Sequence, residues 1–248
     1  MNDRITGLII SQTDYRDHAA LVNILSRNYG RLTLRAEGVR KITSKSAGSL
    51  ITCTKGEFSL DYVPGKTIFR LKGVRTLSAY RKVHSDLVLS AAAGVLAECA
   101  DVMTYGGQDA ENAGETAGLL EEALDLLEGG ARPDIVLALF VSSVMELNGL
   151  SPNVDECVLC GKKNAASISI RDGGFLCSEC TAKAGLSPRS ITDLRRFRLV
   201  CKAGLQHYGV IEEKAGNTDT ELKTLIEMIR LHAGASVRSF SFYESVSH

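Results

Sequence analysis

The chain lacks the groupings that chemistry at a reacting centre needs. Its five histidines, His18, His84, His207, His232 and His248, stand apart, and none falls in a metal or triad motif. No serine sits in the strained Gly-x-Ser-x-Gly elbow that exposes a hydrolase nucleophile. "PGKT" at 64–67 ends like a phosphate-binding loop, but Leu60 stands where the loop's first glycine belongs. Its surroundings read strand–turn–strand, which offers no helix N-terminus to a phosphate. The carboxylates at 111–128 are spread along a helical pattern, a solvated face rather than an acid/base pair. These absences argue against an enzyme.

Long hydrophobic runs are missing as well. The most apolar stretch, "IVLALFVSSVMELNGL", is shorter than a bilayer crossing and ends in polar residues. The opening "MNDRITGLII" carries charge early, and its apolar run is too short for a secretory signal. There is no tandem repeat and no long low-complexity tract. The expectation is a soluble, cytoplasmic protein with no membrane partner. The 248 residues, 44% hydrophobic and 23% charged, suffice for one large domain or two to three modest ones.

The net charge of zero conceals a partition. Residues 1–82 hold fifteen Lys/Arg against six Asp/Glu, a net of +9. Residues 83–156 hold one against fourteen, −13, and residues 157–248 hold thirteen against nine, +4. A basic first third followed by an acidic middle points to separate surfaces for separate partners.

Four of the seven cysteines lie in "CVLCGKKNAASISIRDGGFLCSEC". Cys157 and Cys160 form one CxxC pair, Cys177 and Cys180 a second, with sixteen residues between the pairs. A CxxC turn aims two thiolates at one centre, and two such turns complete the tetrahedron that zinc prefers. Gly161 suits a tight turn with amides facing sulfur; Gly173 and Gly174 suit the reversal before the second pair. "ASISI" reads as one strand of a small hairpin. Three other readings stand beside zinc. Two disulfides require an oxidising compartment, and a redox pair requires a single CxxC opening a helix after a strand. A relic site would be expected to have lost a ligand. Four sulfurs would fill the tetrahedral shell, leaving no position for a fifth ligand and none offered to a His or Glu acting as a base, which makes a closed, structural Zn2+ site. Cys53, Cys99 and Cys201 stand alone and read as small buried hydrophobes.

Residues 4–80 alternate with period two. "ITGLIIS", "ALVNILS", "RLTLRAEGV", "GEFSLDYV" and "TIFRLKGVRTL" predict five strands joined by Gly-containing turns, a small barrel. In the fourth, Phe58, Leu60 and Tyr62 face one side and Glu57, Ser59 and Asp61 the other. From His84 the period becomes helical. "SDLVLSAAAGVLAECADVM" has Ser85 or Asp86 near its cap, and "ENAGETAGLLEEALDLLEGG" is an acidic amphipathic helix. "RPDIVLALFVSSVMELNG", apolar on nearly every side, predicts the central helix of a bundle. "SITDLRRFRLVCKAGLQHYG" opens on Ser190 and Asp193 at capping-box spacing. Its Ile191, Leu194, Phe197, Cys201 and Leu205 share one face, and Arg195, Arg198 and Lys202 the other. "DTELKTLIEMIRLHAG" is the last predicted helix.

"RLTLRAEGVRKITSKSAG" is the strongest candidate surface beside the cysteines. Arg31, Arg35, Arg40, Lys41 and Lys45 fall within fifteen residues. Lys55, Lys66, Arg70, Lys72 and Arg75 add charge on the later strands. Cations beside a small barrel track a phosphate backbone, with Tyr15, Tyr29, Tyr62 and Phe69 available to stack on unpaired bases. The competing role for each aromatic is core packing.

The order of these features resembles the RecO family of bacterial recombination mediators and DNA-repair proteins. The similarity starts at "ITGLIISQTDYRDHAALVNILSRNYGRLTLRAEGVRK", continues through "FVSSVMELNGLSPNVDECVLCG" and ends at "GGFLCSEC" and "RSFSF". It implies an α+β protein: an N-terminal OB-fold β-barrel at 1–80, then a helical domain at 81–248 with an embedded zinc module at about 154–186. It further implies a non-enzymatic, nucleoid-associated protein that binds single- and double-stranded DNA and anneals complementary strands. With RecR, such a protein helps load RecA onto DNA coated by single-strand-binding protein (SSB). Arg35, Arg40, Lys41 and Lys45 map onto the family's basic barrel region. Arg195, Arg198 and Lys202 form a further candidate surface for an acidic tail or for DNA. The rival readings are a zinc-ribbon interaction scaffold or transcription-type adaptor, and a zinc enzyme.

Overall fold

Period-two alternation becomes a six-stranded sheet in the computed structural model, which describes residues 3–15, 19–39, 49–105 and 110–247. The strands are β1 (Asp3–Tyr15), β2 (Ala19–Ser26), β3 (Gly30–Ala36), β4 (Lys55–Leu60), β5 (Ile68–Arg70) and β6 (Gly73–Ser78). Alternate side chains of β3 and of β4 are buried. The buried sets, including Val22, Ile24, Leu32, Leu34, Phe58 and Leu60, meet in one apolar core. Within "DHAALVNILSRN", which also scans as a helix, Ala19–Ser26 is strand β2: its Ala20, Val22 and Ile24 are all buried there.

The sheet order is β5-β3-β2-β1-β4-β6, with β3 and β5 parallel and the other neighbours antiparallel. β5 and β6 are two halves of the fifth predicted strand, "TIFRLKGVRTL". Its first half pairs with β3 and its second with β4, so the two edges of the sheet meet. At the break, Leu71 N–H donates to the Arg35 carbonyl at 3.0 Å and Lys72 N–H to the Ser59 carbonyl at 2.8 Å. This is the five-strand OB topology with a bent closing strand. Closure needs a small residue where chains crowd: a Cβ on Gly7 of β1 would lie 2.7 Å from the Leu25 carbonyl oxygen.

Three helices follow: α1 (Arg81–Ser85), α2 (Leu87–Met103) and α3 (Ala110–Gly129). Asp86 caps α2, its carboxylate accepting from Leu89 N–H at 2.9 Å. Glu128 of α3 accepts from the Lys82 and Val83 amides of α1 at 3.2 and 3.0 Å. A carboxylate from one helix thereby satisfies the open N–H groups of another.

Contacts divide the chain into two compact units, Met1–Ala131 with Arg238–His248, and Arg132–Val237. The division falls later in the chain than the change of periodicity near residue 80, because α2 and α3 pack on the sheet and α1 packs on them. In the second unit, α4 (Pro133–Leu147) starts on a proline, whose missing N–H costs nothing at that position. Ile135 through Val141 of α4 are completely buried. The Cys-rich segment contributes β7 (Ala165–Ser169), β8 (Gly174–Cys177) and α5 (Ser178–Lys183). Then come α6 (Ile191–Lys202), α7 (Tyr208–Ala215) and α8 (Asp219–Met228). α4 packs against α6, α7 and α8, so the helix apolar on all sides is the central one. Asp134 at its start is buried but satisfied, accepting from Thr218 N–H at 3.0 Å and from Arg132 Nη2 at 2.8 Å.

Two details depart from expectation. Ile191 is 69% exposed although it shares a helical stripe with buried Leu194 and Phe197. It is the first residue of α6, ahead of the turn that makes contact. The last predicted helix changes to a π turn at Ile229–Ala233 after α8. The final helix, α9 (Ser239–Val246), packs on α2 in the first unit. There Glu98 accepts from Ser239 N–H and Oγ at 2.7 and 2.6 Å.

Candidate metal centre and nucleic-acid interface

The two CxxC pairs converge. One Sγ from each of Cys157, Cys160, Cys177 and Cys180 lies within 4.8 Å of every other. Cys160 Sγ is 3.6 Å from Cys177 Sγ and 3.7 Å from Cys180 Sγ. Four sulfurs at ~2.3 Å from a central zinc would be ~3.8 Å apart in a tetrahedron. The donor set therefore fits one tetrahedral thiolate-bound ion. The backbone explains the convergence. Gly161, at φ 73°, closes the first turn by donating its N–H to the Cys157 carbonyl at 2.8 Å. Gly174 passes so close to Asn153 that a Cβ would sit 2.3 Å from its carbonyl oxygen. That approach lets Phe175 N–H donate to Asn153 at 2.8 Å and Val158 N–H to Phe175 at 2.9 Å, binding the first knuckle to β8.

Amides face the sulfurs. Burial raises the Cys157 thiol, but N–H donors of Cys177, Leu159 and Cys160 outweigh it and bring it down to about 6. The Cys180 amide likewise lowers Cys177. Hydrogen bonds to the charged form stabilise the thiolate a metal requires. Cys180 moves the other way: burial first, then hydrogen bonds with its neighbouring thiols, push it up to about 12, the level to which burial also pushes Cys53, Cys99 and Cys201.

A charged clamp holds the metal segment to α6. Arg198 Nη1 bonds both the Val154 carbonyl and an Asp155 carboxylate oxygen, and Lys202 Nζ reaches the other oxygen at 2.8 Å. The Lys202 and Arg198 hydrogen bonds lower the Asp155 carboxyl. Two members of the candidate cationic surface are thus engaged within the unit. Arg195 instead lines a groove of about 290 Å3 with Lys163, Phe175, Ile191 and Leu194.

The basic barrel is less uniform than its composition suggests. Arg31 forms an ion pair with the Asp101 carboxylate at 2.5 Å and donates hydrogen bonds to the Asp101 carbonyl at 2.8 Å and to Thr104 Oγ1 at 3.2 Å. Lys55 and Arg27 converge on Glu121 of α3, so this acidic helix turns part of its charge toward the barrel. Arg35 pairs with Glu37 at 3.0 Å, Lys72 with Asp61 at 2.6 Å, and Arg75 with Glu57 at 3.3 Å. Lys66 and Arg70 make no ion pair among the described residues, and both are exposed. Lys66 Nζ stands 6.0 Å from the Phe69 ring centroid. Arg40, Lys41 and Lys45 lie outside the described residues.

The aromatics divide between the two roles weighed for them. Phe69 is buried, and Tyr62 stacks on it at 5.4 Å with an interplanar angle of 17°. Tyr29 meets Tyr62 edge-on at 5.0 Å and remains 37% exposed. Tyr29 and Phe69 border a groove of about 600 Å3 on the outer face of β2 and β3, which reaches Thr104 and Tyr105 at the end of α2. Tyr105 and the Asp155 clamp were not singled out from sequence. Tyr105 is a lone ring beyond a helix end, and Asp155 carries no motif, so neither gives a signal in the sequence.

The comparisons with known proteins agree with this arrangement. The family model described as Recombination protein O N terminal matches residues 1–80, and Recombination protein O C terminal matches residues 84–239. A DNA repair protein RecO of Bacillus pumilus is 27% identical over 223 residues, covering 89% of this chain and 85% of that one. A RecO of Bacillus cytotoxicus is 26% identical over 178 residues, 71% of this chain and 70% of that one. The barrel strands lie within the first matched range and the cysteine cluster within the second; the two family models, end to end, cover most of the sequence, and the chain belongs to the RecO family.

Proposed function

We propose that the chain is a DNA repair and recombination mediator that acts without enzymatic turnover. It binds single- and double-stranded DNA, anneals complementary strands, and with RecR helps load RecA onto SSB-coated DNA at the bacterial nucleoid. The observation that carries this reading is the pairing of a closed OB barrel with a helical region bearing the cysteine cluster, each under its own family match. Its domains are 1–80 for DNA binding and 81–248 for the helical part, with the metal module at about 154–186.

Annealing of this kind needs no bond chemistry. Two phosphate backbones repel, and cations on the barrel lower that repulsion while releasing counterions. Lys66 and Arg70 are the described cations open to this role, with Arg40, Lys41 and Lys45 supplying the rest. Arg31, Arg35, Lys55 and Lys72 contribute to the local potential while held by carboxylates. Cys157, Cys160, Cys177 and Cys180 would hold one Zn2+. The ion supplies local folding free energy and, with four sulfurs filling its shell, no position for a substrate.

The test is annealing of complementary oligonucleotides, with and without SSB. The expected outcome is annealing at least about tenfold faster than without protein, persisting on SSB-coated strands. No acceleration overturns the reading. The scaffold reading has one observation in its favour, the groove where Arg195 and Lys163 flank exposed Ile191 beside the metal module. Peptide binding there without any oligonucleotide binding elsewhere would select it.

A further inference from the structure

Resting on the DNA-binding reading, we infer that the groove on the outer face of β2 and β3 takes an unstacked base of a single strand, with Tyr105 as its stacking platform. Side chains facing away from the barrel core supply its floor: Thr13, Asn23 and Thr33. They are uncharged and ordered. Thr33 Oγ1 donates to Asn23 Oδ1 at 2.7 Å, and Asn23 Nδ2 donates to Ser11 Oγ at 2.9 Å. Such a floor suits the donors and acceptors of a base edge better than a phosphate, which calls for cations. Lys66, at one border, supplies the cation for the adjoining phosphate.

Tyr105 makes the groove selective. Its ring is 76% exposed, the highest value for any large hydrophobic side chain described. An exposed aromatic gains nothing for the core. Yet this one is positioned: the Arg31 guanidinium carbon lies 5.5 Å from its ring centroid. Arg31 is itself fixed by Asp101 and Thr104. The first-named cation of the basic segment therefore acts as a positioning residue. It holds the end of α2 and one ring at the mouth of the groove. Stacking on an exposed ring requires a base with a free face, which a duplex does not present. The groove accordingly discriminates unpaired from paired DNA, while the cations bind both.

The experiment is fluorescence anisotropy on the full chain with a labelled oligothymidylate and a duplex of equal length. Tyr105→Ala is expected to weaken single-strand binding by roughly 5- to 100-fold, the range that loss of one stacked base gives. Duplex binding and the melting temperature should stay within about twofold and a degree or two. Tyr105→Phe should retain single-strand affinity, since it keeps the ring. Equal loss on both substrates, or no loss on the single strand, overturns the inference and leaves the DNA-binding reading intact. Absence of binding by the unmodified chain overturns both.

Discussion

Cys160 is the exposed member of the metal cluster, whereas Cys157, Cys177 and Cys180 are buried. Solvent and chelators reach the site through it. Cys160→Ser should abolish stoichiometric zinc in purified protein, from one ion per chain to near zero, measured by metal analysis. Cys201→Ser, which removes a thiol of the α6 core, should leave that stoichiometry unchanged. Retention of a full zinc equivalent by Cys160→Ser would show that the ion is held elsewhere. The convergence of four thiols was legible in the spacing alone, because a CxxC turn leaves few places for its sulfurs. The tuning of those thiols was not legible. It depends on amides of Leu159 and Cys180 facing particular sulfurs, a matter of backbone orientation that spacing does not encode.

At the scale of the element, α6 illustrates both success and failure of pattern reading. Ser190 Oγ accepts from Asp193 N–H at 3.0 Å, as the capping spacing predicts. The cationic face behaves differently, because Arg198 and Lys202 close on Asp155 across more than forty residues of chain. Helical periodicity shows which side chains share a face and is silent about what that face meets. The Asp155 carboxyl is lowered in the folded chain, so its pairing stabilises above the ordinary carboxylate range. That contribution is lost as pH falls through the lowered value. Asp155→Asn should therefore release the metal segment from α6, increasing amide exchange at residues 154–158 at neutral pH. The melting temperature should fall by no more than a few degrees, because the pair is solvent-exposed. In acid the variant and the unmodified chain should become indistinguishable. An unchanged exchange rate at neutral pH would remove the clamp from the account.

For the molecule as a whole, the charge partition was legible from composition, but its consequence was only half so. The excess of +9 over residues 1–82 implies a cationic surface. Part of that excess is met by two acids, Asp101 and Glu121, that follow it in sequence and fold beside it. Composition counts charges; pairing depends on which helix lies against which strand. Arg35, Arg40, Lys41 and Lys45 changed together to Ala should weaken oligonucleotide binding and flatten the slope of log affinity against log salt. Four contacts on a single strand correspond to a slope change of roughly 2 to 3, less if Arg35 stays on Glu37. Titration from low to physiological salt measures it, and an unaltered slope would place the phosphate contacts on other cations, Lys66 and Arg70 first.

The return of α9 to α2 has a consequence for biogenesis. The second unit is a contiguous stretch of chain, but the first is assembled from its two ends. On a ribosome, residues 1–131 must wait for residues 238–248. The bundle around α4 can be finished while Glu98 still awaits Ser239 and α2 still exposes the surface that Phe240 and Tyr243 will cover.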